Sequence, residues 1–276
     1  MNFPKTKWRL VQSAAASGAW NMAVDEAILE AVHRGSAKPT LRLYAWSPPC
    51  LSLGYAQPSG DVDFEYLNAS GWQIVRRPTG GRAILHTDEL TYSIICPHSE
   101  PRVAGSVLES YQRLSAALLG ALQLLGIPAQ ALEKNSRKQN SGIQNPVCFE
   151  TPSNYEITVS GKKIIGSAQA RRREGILQHG SFPLFGDLTR ITWALCFPDQ
   201  ESRSKAARRL LDHAATAEEI LGHSLSWNAA AKAFTIGFQQ ALNLELDPEE
   251  LTPGELARAA ELAEEKYAHS VWTRRV

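Results

Sequence analysis

The stretch from Cys148 to Gly180, CFETPSNYEITVSGKKIIGSAQARRREGILQHG, holds the residue types that acyl transfer needs. A cysteine stands in a loop, Lys163 follows fifteen residues later, and Gly166, Ser167 and Ala168 come just beyond. Only a thiolate attacks a carbonyl well, so a nucleophilic cysteine needs a nearby cation at neutral pH. Small residues after a strand let backbone approach a ligand closely. Together these describe an acyl-transfer site on a β-hairpin. From the residues alone, Cys148 is either that nucleophile or one more buried thiol. It follows a polar loop and a proline, and its neighbours are Glu150 and Pro152 rather than an apolar run. Lys163 is paired with Lys162 at the head of a short apolar strand, where adjacent residues face opposite ways. One of the two points inward, and an inward ammonium needs a partner or a function. His179 and Gly180, in QHGS, offer a candidate general base or a hydrogen-bonded structural histidine beside a small residue.

A second candidate site is RRPTGGRAILH, residues 76–86. Its paired glycines, Gly80 and Gly81, free backbone N–H groups for an anion-binding nest, which Arg76, Arg77 and Arg82 would reinforce. The alternative is a tight turn with solvated arginines. With neither GK[ST] nor GxGxxG, it is not a nucleotide loop of the familiar kinds. Arg171-Arg172-Arg173 lies between two strand candidates and caps a hairpin, either as solvated charge or as a dock for an acidic partner. The remaining cysteines, Cys50, Cys96 and Cys196, are far apart and form no CxxC pair. That excludes a disulfide framework and a paired-ligand zinc site, and they read as reduced core thiols. Neither a metal nor a cofactor is expected.

The elements that must position these residues follow from patterning. A helix is predicted over 20–33, with Met22, Val24, Ala27, Ile28 and Val32 on its apolar side. Strands are predicted over 41–46, 51–54, 73–77 and 90–96, the last with Tyr92, Ile94 and Cys96 alternating against polar neighbours. Ser106 and Glu109 have capping-box spacing and open a long helix that Gly126 and Pro128 close. Residues 133–146 read as a mobile polar loop leading into Cys148. Strands follow over 155–159, 163–165 and 176–184, with a tight turn at Gly161. From 188 onward the signal is helical, and Thr252-Pro253-Gly254-Glu255 caps a helix to about residue 267. The fold class is α/β (α+β) with a mixed or antiparallel sheet. Residues 1–187 form the main part, and 188–276 a helical part packed on the same domain.

The 276 residues suffice for a full core, and 43% apolar with 21% charged residues is ordinary globular composition. A net charge of +1 gives no nucleic-acid footprint. No secretory h-region or eighteen-residue apolar run is evident, so no membrane association is expected and the cytoplasm is the expected compartment.

RRPTGGRAILH, the KKIIGSAQ strand and the ILQHGS strand, in that order, resemble the biotin/lipoate protein ligase superfamily. PVCFETPSNYEI and the closing EEKYAHSVWTRR look like the octanoyltransferase branch related to lipoate-protein ligase A. The resemblance spans roughly residues 8–275 and implies a catalytic domain with a mixed sheet, flanking helices and a central cleft. It further implies octanoyl transfer from octanoyl acyl carrier protein to a lysine of an apo carrier domain, typically the glycine cleavage H protein, through a cysteine thioester. Carried over, Cys148 is the nucleophile, and Lys163 holds its thiolate and orients the acyl carbonyl. Arg77, Thr79, Gly80, Gly81, His86, Gly166, Ser167, Ala168, His179 and Gly180 then line the acyl pocket. ATP-dependent lipoate ligases usually carry a third glycine where this chain has Arg82, and commonly a further C-terminal domain. Those departures argue against adenylation. The alternatives are an ATP-dependent lipoate-protein ligase, an octanoyl amidotransferase between carrier domains, and a non-catalytic acyl- or carrier-binding protein.

Overall fold

The structure, a computed structural model, describes residues 3–133 and 155–276. Its strands are β1 (Thr6–Gln12), β2 (Thr40–Tyr44), β3 (Cys50–Leu53), β4 (Gln73–Arg76), β5 (Ile84–His86), β6 (Glu89–Cys96), β7 (Gln130–Glu133), β8 (Tyr155–Val159), β9 (Lys162–Arg172), β10 (Gly175–Pro183) and β11 (Leu244–Pro248). The helices are α1 (Gly18–His33), α2 (Phe64–Ala69), α3 (Val107–Leu124), α4 (Gln200–His213), α5 (Ala217–Leu221), α6 (Trp227–Leu242), α7 (Pro253–Leu262) and α8 (Ser270–Thr273).

One large sheet runs β11-β1-β2-β6-β10-β9-β8-β7. β1 lies parallel to β2 and β11, and the other neighbours are antiparallel, so the sheet is mixed and largely antiparallel. Alternation along the strands divides two cores. Leu41, Leu43, Leu90, Tyr92 and Ile94 face α3 and α6, while Tyr44, Ile95 and Leu177 face α1 and α7. Gly237 is where α6 crosses α3 closely: a Cβ there would lie 2.5 Å from Ala117 O. A small sheet, β4-β3-β5, packs over residues of α4 and a 3₁₀ turn at Leu188–Trp193, and carries the 76–86 loop.

Local sequence sets the element ends. Ser17 caps α1 by accepting from the Trp20 N–H. Ser106 with Glu109 and Thr252 with Glu255 form the two capping boxes. Several elements go beyond the sequence reading. β9 is eleven residues long rather than three, because 166–172 pair with β10 throughout. β11 lies in the stretch read as helical, where Leu244 and Leu246 alternate with Glu245 and Asp247 beside β1. β1, β5, β7 and α2 were not expected either. Among the described residues no helix is long and apolar enough to cross a membrane.

Candidate active site

β9 and β10 lie side by side, so their small residues form one floor: Gly166 faces Ser181, Ser167 faces Gly180, and Ala168 faces His179. Gly180 must be small, since an added Cβ would sit 2.5 Å from the Tyr92 ring and 2.8 Å from Ser167 Oγ. Over this floor stands the 76–86 loop. A cleft of about 940 Å³ opens between that loop and the β9–β10 hairpin, with Gly80, Gly81, Ser167 and Lys163 among its walls. Deeper in, Arg77, Gly81, His86, Gly166, Ala168, His179 and Gly180 share a chamber with Met22, Trp46 and Ile84. The chamber is narrow and largely enclosed by these side chains.

Lys163 is the inward member of its pair. It is 5% exposed, with its Nζ 3.5 Å from Glu156 Oε1, whereas Lys162 reaches out to Glu219 at 2.9 Å. Strand parity required one inward lysine without saying which; it is Lys163, with Glu156 as an ion-pair partner.

Two buried acid–imidazole–hydroxyl chains flank the chamber. In the first, His179 Nε2 is 2.6 Å from Thr79 Oγ1 and Nδ1 is 3.8 Å from Asp25 Oδ2. This ties the loop to the sheet floor. Asp25 also accepts from Arg42 at 2.8 Å, Ser93 at 2.9 Å and Tyr44 at 3.1 Å. Burial pushes the Asp25 carboxyl up, but Arg42 and His179 outweigh it and hold the group below its usual value. Burial pushes His179 down against the pull of Asp25, so its ring is neutral at pH 7. In the second chain, His86 places Nδ1 2.8 Å from Glu89 Oε1 and Nε2 2.7 Å from Ser52 Oγ, with its ring stacked on Trp46 at 4.0 Å. Burial raises the Glu89 carboxyl, yet His86 together with the hydroxyls of Ser181 and Thr91 holds it below its usual value.

The arginines of the loop do not serve an anion nest. Arg77 donates to the carbonyls of Ser52 (2.9 Å), Gly80 (2.8 Å) and Arg82 (2.7 Å), so its charge shapes the loop from within. Arg76 donates to the carbonyls of Gly54, Gln57 and Thr273. Both are buried, which overturns the expectation that they flank a bound anion. The loop also depends on Gly54, whose added Cβ would stand 1.9 Å from Gly81 O. Arg82 remains at the cleft wall.

Cys148 lies outside the described residues, as does the polar stretch before it. The other three thiols are all held above their usual value. Burial is the first cause at Cys50, with Glu89 adding to it. Burial also leads at Cys96, and at Cys196, where Asp63 and Asp61 contribute. Cys50 and Cys96 are core residues, but Cys196 is exposed, contrary to the core reading. None of the three has the electropositive setting that lowers a thiol pKa. Among the described residues no cluster of His, Cys, Asp or Glu is placed to hold a metal ion.

Sequence reasoning missed Asp25, Ser52, Gly54, Glu89 and Glu156. Asp25 left one signal, since it sits three residues from Met22 and four from Leu29 on the apolar side of α1.

The lipoyl protein ligase A/B catalytic domain model matches residues 17–247. Octanoyltransferase LipM of Kyrpidia tusciae is 43% identical over 271 residues, covering 97% of this chain and 98% of the relative. Octanoyltransferase LipM of Bacillus subtilis is 38% identical over 272 residues, covering 97% and 98%. Among solved structures, the bi-partite lipoate protein ligase of Thermoplasma acidophilum matches with a TM-score of 0.79 at 25% identity, covering 98% of this chain and 96% of that one. A lipoate-protein ligase A bound with ATP matches with a TM-score of 0.77 at 24% identity, covering 98% and 99%, which is a likeness of fold. A buried lysine and a glycine loop at one cleft of a mixed sheet thus occur in a chain related over nearly its full length to octanoyltransferases. The chain belongs to the lipoyl protein ligase A/B catalytic-domain family and is an acyltransferase of its octanoyltransferase branch.

Proposed function

We propose that the protein transfers octanoyl from octanoyl acyl carrier protein to a lysine of an apo lipoyl domain, of the glycine cleavage H protein type. The transfer runs through a thioester on Cys148, needs no ATP and takes place in the cytoplasm. Residues 188–276 belong to the same catalytic unit as 1–187 in this reading.

The observation that carries it is the placement of Lys163. Its ammonium is buried yet borders the cleft, and it lies on β9 beside β8. The segment bearing Cys148 leaves the sheet at Glu133 and re-enters at Tyr155, which are register partners on β7 and β8. Both ends of that segment are therefore anchored in the strand pair next to β9. A cation held there lowers the pKa of a thiol brought beside it, whereas each of the three described cysteines sits where its thiol is pushed up.

In the first half-reaction the Cys148 thiolate attacks the thioester carbonyl, and the tetrahedral adduct collapses with loss of the carrier thiolate. In the second, the neutral acceptor amine attacks the enzyme thioester. The C–S bond breaks, and the ammonium proton passes to the departing Cys148 thiolate. Oxyanion donors are available on β9. Its pairing with β8 ends at Ile165, so alternate N–H groups among Gly166, Ser167 and Ala168 face an edge that β8 does not cover. Arg77 and the Thr79–His179 link hold Gly80 and Gly81 over that edge. The acyl chain would enter the deep chamber past His86 and Gly180.

Intact-mass analysis after mixing with octanoyl acyl carrier protein, without ATP, tests the reading. One octanoyl adduct, removed by hydroxylamine and absent from Cys148→Ala, is expected. No adduct until ATP and free octanoate are added would replace it with a ligase mechanism.

A further inference from the structure

The arginine triplet at the β9–β10 turn has no part in the chemistry above, yet it forms one wall of the outer cleft. Four arginines border that cleft, Arg82, Arg171, Arg172 and Arg173, against one acid, Glu174, while Lys163 at the same wall is paired with Glu156. The whole chain carries a net charge of only +1, so the excess is local. Arg275 adds a guanidinium 3.8 Å above the Tyr55 ring at the same mouth.

How these side chains are held decides what they offer. Arg171 donates to the carbonyls of Val103, Gly105 and Ser106 before α3. Arg172 donates to Pro78 O at 3.2 Å and lies 5.4 Å from the Tyr55 ring. Carbonyl and ring partners orient a guanidinium without cancelling its charge. Among the described residues no carboxylate forms an ion pair with Arg82, Arg171, Arg172 or Arg173. Arg171 and Arg172 are thus held in place, and a basic rim of arginines without carboxylate partners around a reactive cleft steers an anionic partner.

The geometry points to this mouth as the docking surface for an acidic face of the donor carrier, whose acyl arm enters the cleft toward Lys163. The inference rests on the thioester-transfer reading. It favours the donor over the acceptor on charge. A donor arm rooted in a phosphodiester is anionic and is drawn to the rim. The acceptor presents a lysine, which the same rim repels and which must arrive as the neutral amine.

The test is the affinity for acyl carrier protein whose octanoyl arm is joined as a non-transferable amide, measured for the wild type, Arg173→Gln and Arg173→Glu. Arg173 is exposed at the turn, so either variant should fold. Arg173→Glu is expected to weaken binding about tenfold, Arg173→Gln by less, with the difference closing at ~1 M salt, where screening acts within about 3 Å. Equal affinity of all three proteins, or a loss indifferent to salt, would overturn the docking surface. A parallel assay gives wild-type protein an uncharged small donor, octanoyl-N-acetylcysteamine. No thioester on Cys148 from that donor would refute the catalytic reading, whatever the carrier affinities show.

Discussion

Gly54→Ala should silence transfer without unfolding the protein. The added Cβ would lie 1.9 Å from Gly81 O and 2.8 Å from Gly81 C, both backbone atoms that no rotamer can move aside. The loop carbonyl must therefore retreat by roughly 1.5 Å before the contact becomes ordinary, and a misplacement of only ~1 Å already costs on the order of 10²-fold in rate. The retreat is resisted, because Arg77 holds the Gly80 and Arg82 carbonyls and the Tyr55 N–H holds Thr79 O at 2.8 Å. Part of the clash then appears as overpacking, worth about 1–3 kcal/mol of stability. Gly54 does not adopt the left-handed region, so the effect is steric and not a matter of backbone preference. The assay is single-turnover octanoyl transfer followed by mass, with thermal unfolding alongside. Gly60→Ala is the control, since nothing lies within 4 Å of its added Cβ. A folded Gly54→Ala protein transferring within about twofold of wild type would refute the claim that loop position sets the rate.

Gly237→Ala should destabilise by a similar 1–3 kcal/mol with little direct effect on chemistry, because its Cβ would press on Ala117 O and Ala121 N across the α3–α6 crossing; chemical denaturation reads it. Lys163→Ala should slow alkylation and acylation of Cys148 near neutral pH, with the deficit shrinking as pH rises and the thiol ionises unaided. A uniform loss at all pH values would make Lys163 a positioning group instead. His179 has a native pKa below its ordinary 6.5. Its neutral ring binds a proton less readily than in the unfolded chain, so its contribution is full above pH 6.5. Stability should then decline as pH falls from 6.5 to the lowered native value and level below it. His179→Gln should flatten that part of a urea-unfolding pH series.

Much of the site could be read from the sequence where a local rule applied. Strand parity at Lys162-Lys163 required one inward lysine, and Lys163 is inward. The capping boxes at Ser106 and Thr252 fixed two helix starts. What stayed hidden was set by distant pairing. β11 exists because β1, far away in the chain, offers it an edge, and its Leu244–Asp247 alternation is too short to be told from a helix end by itself. Thr91 and Ser93 on β6 alternate with apolar residues as a solvated strand face would. Here they face inward, bonding Glu89 and Asp25, so the polar positions mark buried site structure rather than surface. Arg76 and Arg77 misled in the opposite sense, since arginines beside paired glycines suggest an anion site but serve here as an internal brace for backbone carbonyls. Cys196 sits among apolar neighbours in WALCF, yet it is exposed just after the buried pair Ala194-Leu195.

The most direct test of the central claim starts from octanoylated enzyme, freed of donor and of ATP, mixed with apo glycine cleavage H protein. The account predicts that octanoyl leaves Cys148 and appears on the acceptor lysine in equal amount, at a rate no slower than overall turnover. An adduct that stays on the enzyme, or moves only when ATP is supplied, would contradict it.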